Sequence, residues 1–293
     1  QNLINSACNK IITGKIRASL IVGGEARYKK IRALIEDKKY IETELSNNPD
    51  HYVKALDDLH IKQEEEHLGL MAVGYYAILE TALRAQKNLS IDEHKKYLGK
   101  MYSEFSKIAA DNPGGWSEID LSWQDIAMVS KKNTMQALPY NKFHCTSWNV
   151  NQASAMLLCS EEIADTLNIP QSKRIYPLAS SEANHMIAAI QRPNLIKPIG
   201  LKLAAEYILN ICHKNNIKPN TYDLYSCFPV AVQMFAEALH LKDNEILTVT
   251  GGMSFAGGPL NNYMIHSTVK MLSDIRSTPS KIGLVTGVSG MMT

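Results

Sequence analysis

Apolar positions recur at three- and four-residue spacing through residues 3–12, where Leu3, Ile4, Ala7, Cys8, Ile11 and Ile12 form one stripe. That is the pattern of a helix lying on a sheet, with Gly14 placed to stop it. Residues 18–22 then read as a short buried strand running into Gly23 and Gly24, where the chain can turn tightly. From about residue 27 to 142 charge rises, β-branched runs vanish and the periods are helical. Leu68, Met71, Tyr75, Ile78, Leu79 and Leu83 share a stripe within 64–84. Ser90 with Glu93 three residues later makes a capping box ahead of Tyr97, Leu98, Met101, Phe105 and Ile108, and Asn112, Pro113, Gly114 and Gly115 break that helix. This stretch reads as a helical insertion.

After Asn151 strands at 153–159, 174–178, 222–226, 246–249 and 282–286 alternate with helices at 160–167, 201–212, 259–275 and one begun by Pro229. The alternation predicts an α/β protein with a mostly parallel sheet covered on both faces. The opening helix, strand and glycine pair are echoed at the end by the helix from Pro259, the strand from 282 and Gly287 with Gly290. A chain built twice on one plan has this form.

Composition narrows the class. At 293 residues, 45% apolar and 20% charged, the chain can bury one or two cores and is neither disordered nor fibrous. Thirty-one Lys and Arg against 29 Asp and Glu leave a charge of +2, which argues against a nucleic-acid or polybasic membrane partner. Cys8, Cys145, Cys159, Cys212 and Cys227 form no CxxC pair, disfavouring a disulfide framework or zinc ribbon and fitting a reducing, cytoplasmic setting. Charged or polar residues interrupt every apolar run before the roughly 18 to 20 residues a membrane span needs. Gln1 opens directly into the amphipathic pattern, so no signal peptide is expected.

The most informative segment holds Gly251, Gly252, Gly257, Gly258 and Pro259 ahead of a helix. Glycines there let backbone approach a ligand, and Pro259 presets a first turn whose free N–H groups can meet an anionic oxygen. A tight turn without a ligand is the alternative, and Asn261 and Asn262 favour a site. Cys227 follows a strand, where α/β sites gather, although a cysteine with apolar neighbours is commonly packing. Tyr225 and Tyr263 can titrate or pack, His185 lies in a polar loop, and His266 points one turn into a helix as a structural residue. Glu64, Glu65, Glu66 and His67 diverge around a helix axis, so they read as a solvated helix start and no metal site is expected.

On these residues the chain resembles the thiolase superfamily, in particular sterol-carrier-protein-type thiolases and bacterial acetyl-CoA acetyltransferase-like proteins. Thiolases carry a GG…GHPLG segment, matched by Gly251, Gly252, Gly257, Gly258, Pro259 and Leu260 with Gly258 in the place of the histidine. Tyr225, Ser226, Cys227 and Phe228 stand where the family has His-Asp-Cys-Phe or Asn-Glu-Ala-Phe. Gly287, Val288 and Ser289 occupy the place of the Cys-x-Gly loop without its cysteine, and Asn151 to Ala155 resembles Asp-Gly-Ala-Ala-Ala. The resemblance runs over essentially the whole chain.

It implies a duplicated five-layer αβαβα fold with a helical loop domain, truncated at both ends. Residues 1–28 and 143–168 would belong to the N-terminal half, 29–142 to the loop domain and 169–293 to the C-terminal half, with the nucleophilic cysteine just ahead of Gln1. The implied activity is CoA-dependent acyl transfer on acyl-CoA thioesters in lipid or steroid metabolism, through a covalent intermediate. In the family the missing histidine activates the nucleophile and the second cysteine is the base, whereas Gly258 and Gly287 supply only backbone N–H groups. Cys227, Tyr225, Gly258, His185 and Gly287 are the candidate catalytic residues. Ser147, in the place where thiolases contact pantetheine, with Gly257, Asn261 and Ser289, are the candidates for binding coenzyme A, and Arg27, Lys29, Lys30 and Arg32 for its phosphates. The alternatives are a retro-aldolase on 3-hydroxyacyl-CoA with Tyr225 as acid or base, or a non-catalytic CoA-binding scaffold. A homodimer or tetramer, and an OB-fold acyl-CoA-associated protein, are the implied partners.

Overall fold

The computed structural model describes residues 2–42, 44, 49–53, 60–288 and 290–292. The opening stripe forms α1 (Asn2–Ile12), followed by β1 (Ala18–Ala26) and α2 (Arg27–Ile35). In the insertion the stripe over 64–84 divides into α3 (Lys62–Leu68) and α4 (Ala72–Gln86), because Gly69 turns the chain at φ 72° between them. Helix α5 (Ile91–Ala110) starts at the expected capping box, Ser90 Oγ accepting from the Glu93 N–H at 3.3 Å and Glu93 Oε2 from the Ser90 N–H at 2.9 Å. The short helix α6 (Trp123–Ala127) and a hairpin of β2 (Met135–Ala137) and β3 (Tyr140–Asn141) complete the insertion.

Strand β4 (Asn151–Cys159) pairs antiparallel with β1 along its full length, Ala18 opposite Cys159 and Ala26 opposite Asn151. Gly23 and Gly24 therefore lie inside a strand, where a tight turn is expected from sequence. Gly23 is needed for another reason: a Cβ there would stand 2.5 Å from Asn262 Oδ1. The pairing also departs from the expected parallel arrangement, since strands joined by an insertion need no crossover helix. The inner face, Ile21 and Met156, packs on Ala7 of α1 and on Ile265, whereas Leu20, Val22 and Leu157 on the outer face are exposed. Only one face of this pair is covered among the described residues.

The second half comprises α7 (Glu161–Thr166), α8 (Ile199–Lys214), β5 (Thr221–Asp223), α9 (Pro229–Ala238), α10 (Gly252–Phe255), α11 (Tyr263–Ser277) and β6 (Gly283–Val285). Ser160 caps α7 as expected, its Oγ accepting from the Ile163 N–H. Strands β5 and β6 are parallel. Residues 174–178 and 246–249 form no strand, contrary to expectation; the Val249 and Thr250 N–H groups go instead to the Asp223 carboxylate. Residues 260–262 form a 3-10 turn, so α11 begins four residues after Pro259. It packs against β1 and β4 on one side and β5 and β6 on the other, a helical layer between two sheets.

The larger core is shared between the insertion and the second half. Tyr76, Leu79, Leu98, Tyr102 and Phe105 from α4 and α5 interlock with Leu224, Phe228, Val230, Phe235 and Met253. Beneath them the buried Glu80 carboxylate takes hydrogen bonds from Tyr140 at 2.7 Å and Gln233 at 2.8 Å and lies 2.8 Å from His94 Nε2. A carboxylate this deeply buried is tolerable only when so partnered.

Candidate functional site

The site grows from the end of β5. Asp223, fully buried, accepts four hydrogen bonds on Oδ1, from Thr248 Oγ1, the Val249 N–H, and the Thr250 N–H and Oγ1, at 2.8 to 3.0 Å. Its Oδ2 accepts from the Tyr263 hydroxyl at 3.3 Å and from Ser267 Oγ. One carboxylate thus ties β5 and α11 to the segment entering the glycine loop. That loop is pressed onto α5: at Gly251, φ 95°, a Cβ would lie 2.3 Å from the Ala109 nitrogen, and at Gly252, φ 74°, 2.6 Å from the Phe105 ring. Only glycine satisfies both the backbone angle and the approach.

Beside the loop, Cys227 is buried under the aromatic groups of the insertion. The Tyr76 hydroxyl lies beside its sulfur and donates to the Gly290 carbonyl at 3.1 Å, while the Tyr76 ring stacks on Phe228 at 4.6 Å. Burial pushes the Cys227 thiol up to about 12, an effect only partly offset by Tyr76 and by the backbone N–H groups of Phe228 and Cys227. Burial also raises Tyr225, followed in effect by the neighbouring Cys227, and raises Tyr76 and Tyr102 well above the usual phenol range. At neutral pH every one of these groups holds its proton.

The loop positions themselves are filled. A Cβ on Gly258 would meet Thr146 Cγ2 at 2.2 Å, and Thr146 is fixed by its Oγ1 donating to the Cys227 carbonyl at 3.0 Å. A Cβ on Gly287 would meet Met264 Sδ at 2.5 Å, the far end of a side chain that can swing aside. The neighbouring Ser147 is half-buried and clamped through its backbone, donating to the Met253 carbonyl at 3.0 Å and accepting from the Gly258 N–H at 2.9 Å. At the surface nearby Arg27 lies 4.3 Å over the Trp148 ring and donates to Asn149 Oδ1 at 3.0 Å.

Cys227, Gly258 and Ser147 are therefore joined around Thr146, and Tyr225 reaches the Gly287 loop through its N–H donating to Thr286 Oγ1 at 2.9 Å. Gly257 lies against the Gln152 side chain. Asn261 is exposed, as is His185, which stands outside this group on the segment whose Glu182 accepts from Asn5 of α1. Ser289 lies outside the described residues. His266 is buried, as its structural reading requires, and burial lowers its pKa despite nearby Asp223. Glu64 departs from the solvated reading: it is buried, its Oε1 accepting from the Ile190 N–H at 3.0 Å and its Oε2 from the Ile61 N–H at 3.2 Å. Among the described residues no three His, Cys, Asp or Glu cluster as metal ligands would, and no helix is long and apolar enough to cross a membrane. Sequence reasoning missed Asp223, Thr146, Met264 and Tyr76. Asp223 and Thr146 adjoin recognised motifs, whereas nothing in the local pattern points to Met264 or Tyr76.

No family model and no curated protein matches the chain. Among solved structures, it is similar to a monomeric SCP2-thiolase-like protein type 1 from Mycobacterium smegmatis, at 26% identity and a TM-score of 0.81. That match covers 100% of this chain, which spans 58% of the Mycobacterium protein. An Ltp2–ChsH2(DUF35) aldolase matches at 14% identity and a TM-score of 0.69, covering 99% of this chain and 74% of its own. Acat5 thiolase from Ascaris suum, in complex with coenzyme A, matches at 13% identity and a TM-score of 0.55, covering 96% of this chain and 71% of its own. The dimeric peroxisomal thiolase of Saccharomyces cerevisiae is similar at 13% identity and a TM-score of 0.56, covering 96% of this chain and 68% of its own. With the α11 layer between two sheets and the glycine loop at its head, the chain has the α/β thiolase-like fold and belongs to the thiolase-like superfamily.

Proposed function

We propose that this chain is the body of a thiolase-like protein that binds an acyl-CoA thioester without transferring its acyl group. The observation that carries the reading is the packing at Gly258. The family histidine would begin with a Cβ 2.2 Å from a threonine methyl, and Thr146 is held there by its hydrogen bond. Acyl transfer needs a group that gives or takes a proton near neutrality. Cys227, raised to about 12, and the still higher tyrosines do not meet that need.

Binding draws support from elsewhere. Ser147 is held beside the glycine loop, and the Arg27–Trp148 pair offers a cation and an indole face suited to a phosphate and a purine. The Ascaris suum thiolase is in complex with coenzyme A. Cytoplasmic residence, self-association and an OB-fold partner belong to the same reading. The Saccharomyces neighbour is dimeric and the Mycobacterium neighbour monomeric, so light scattering of the full-length protein decides the oligomer.

The test is titration of the full-length protein with acetyl-CoA beside a thiolysis assay on acetoacetyl-CoA. Saturable binding with no turnover is expected; thiolysis would establish acyl transfer and overturn the reading. Retro-aldol cleavage is the second reading, favoured by the aldolase neighbour and by Tyr225, which keeps its proton beside Cys227, as a candidate acid. Cleavage of a 3-hydroxyacyl-CoA that is lost in Tyr225→Phe would establish it instead.

A further inference from the structure

Helix α2 is held at its start. There the Tyr28 N–H donates to the Val150 carbonyl at 3.2 Å, the Lys29 N–H donates to Asn151 Oδ1 at 3.0 Å, and the Tyr28 ring meets Trp116 edge to face at 5.1 Å. No residue of the helix is buried, and Leu34 and Ile35 near its end are each 69% exposed. With 3.6 residues per turn, Leu34, Ile31 and Ile35 fall within one arc of about 100°, and Lys29, Lys30 and Arg32 take the other side. Past the helix Asp37 turns the chain at φ 50° and the Lys38 N–H donates to the Ala33 carbonyl at 2.8 Å. The Lys30 ammonium lies 5.8 Å from the Tyr40 ring, which brings Ile41, 76% exposed, back beside the helix.

Charge is concentrated in the same place. Residues 27–42 hold six Lys and Arg against three Asp and Glu, so this stretch supplies more than the chain's whole surplus of +2. The overall balance, which argues against a polybasic membrane partner, therefore conceals a local basic helix. The pairs that Glu36 makes with Arg32 and Lys38, and Glu42 with Lys30, face solvent and are worth little, so these cations exchange readily onto phosphates. Leu34 and Ile35 stand out from the surface, which suits a yielding apolar phase better than the shaped groove of a protein partner. We propose that α2 docks the protein on an anionic bilayer surface, with Leu34 and Ile35 in the boundary between headgroups and acyl chains and Lys38, Lys39 and the cationic side of the helix on lipid phosphates. The contact is peripheral and does not depend on acyl-CoA binding.

The test is co-sedimentation of the full-length protein with vesicles of phosphatidylcholine alone and of phosphatidylcholine mixed with an equal part of phosphatidylglycerol. Binding to the mixed vesicles only is expected, and it should fall steeply in about 1 M salt, where the Debye length is about 3 Å. Lys38→Glu with Lys39→Glu should lower the partition coefficient at least about twentyfold, at roughly fivefold for each cation lost near the surface. Leu34→Ser with Ile35→Ser should lower it at least about tenfold. Both double variants should keep the urea midpoint of the wild type, as substitutions at exposed positions do, which shows that the losses are not losses of fold. Wild-type protein that sediments no better with the anionic vesicles overturns the proposal, and so does undiminished binding by either variant. Where the wild type ignores vesicles, a smaller mass by light scattering in Leu34→Ser with Ile35→Ser assigns the face to a second copy, and an unchanged mass assigns it to the remainder of the full-length protein; both results overturn membrane docking.

Discussion

Gly258→Ala is the smallest change that tests whether the histidine position is sealed. The new methyl would sit 2.2 Å from Thr146 Cγ2, about 1.3 to 1.8 Å inside the carbon–carbon optimum. Thr146 cannot rotate away without losing its 3.0 Å hydrogen bond to the Cys227 carbonyl, a net loss of about 1 kcal/mol. Overpacking of this kind costs about 1–3 kcal/mol, and about 2 is expected here. Thr146→Ser keeps the hydroxyl and removes the methyl, costing about 0.8 kcal/mol alone. In the serine background Gly258→Ala should cost less than about 1 kcal/mol, a coupling of at least about 1 kcal/mol. Urea unfolding of the full-length protein and the three variants, compared at unchanged m, gives the cycle. Equal losses in both backgrounds, or no loss in either, would refute the sealed position.

Three further outcomes follow from the same structure. Burial, with His94 nearby, lowers His144 from 6.5 to about 4; the folded pKa lies below the unfolded one, so its stabilisation is present above about pH 6.5 and lost as pH falls through 4, about 3 kcal/mol in all. His144→Gln should flatten that pH dependence of the urea midpoint, and an unchanged slope contradicts it. With its thiol raised to about 12, Cys227 should resist iodoacetamide at about pH 8, where roughly one molecule in ten thousand is thiolate; peptide mapping that finds it labelled before unfolding would contradict its burial. Asp223→Ala should cost roughly 3 kcal/mol or more and speed hydrogen exchange at Val249 and Thr250, whereas unchanged exchange would mean that the loop is held by something else.

What the sequence discloses here is set by the range of the forces involved. The apolar stripe of α1, the box that starts α5 and the Ser160 cap are local, and each stands where its pattern places it. The glycine loop is legible because its positive φ values and close approaches exclude other residues. Strand segments fared differently. Residues 246–249 have the composition of a strand, but the side chain of Asp223 takes the N–H groups that a neighbouring strand would otherwise need. Gly23 resembles a turn glycine, yet it serves a long-range contact with Asn262. The same holds for the site: Thr146 and Met264 fill space whose owner lies more than twenty residues away in each case, and no local pattern encodes that. Glu64 likewise resembles part of a charged helix start until the fold brings the Ile190 N–H to it.

Intact-mass analysis of the full-length protein after saturation with acetyl-CoA separates binding from acyl transfer. Saturable binding with the protein mass unchanged is expected, because Thr146 seals Gly258 and Cys227 keeps its proton. A protein heavier by one acetyl group would contradict it, showing that the thiolase-like body still carries a working acyl-transfer site.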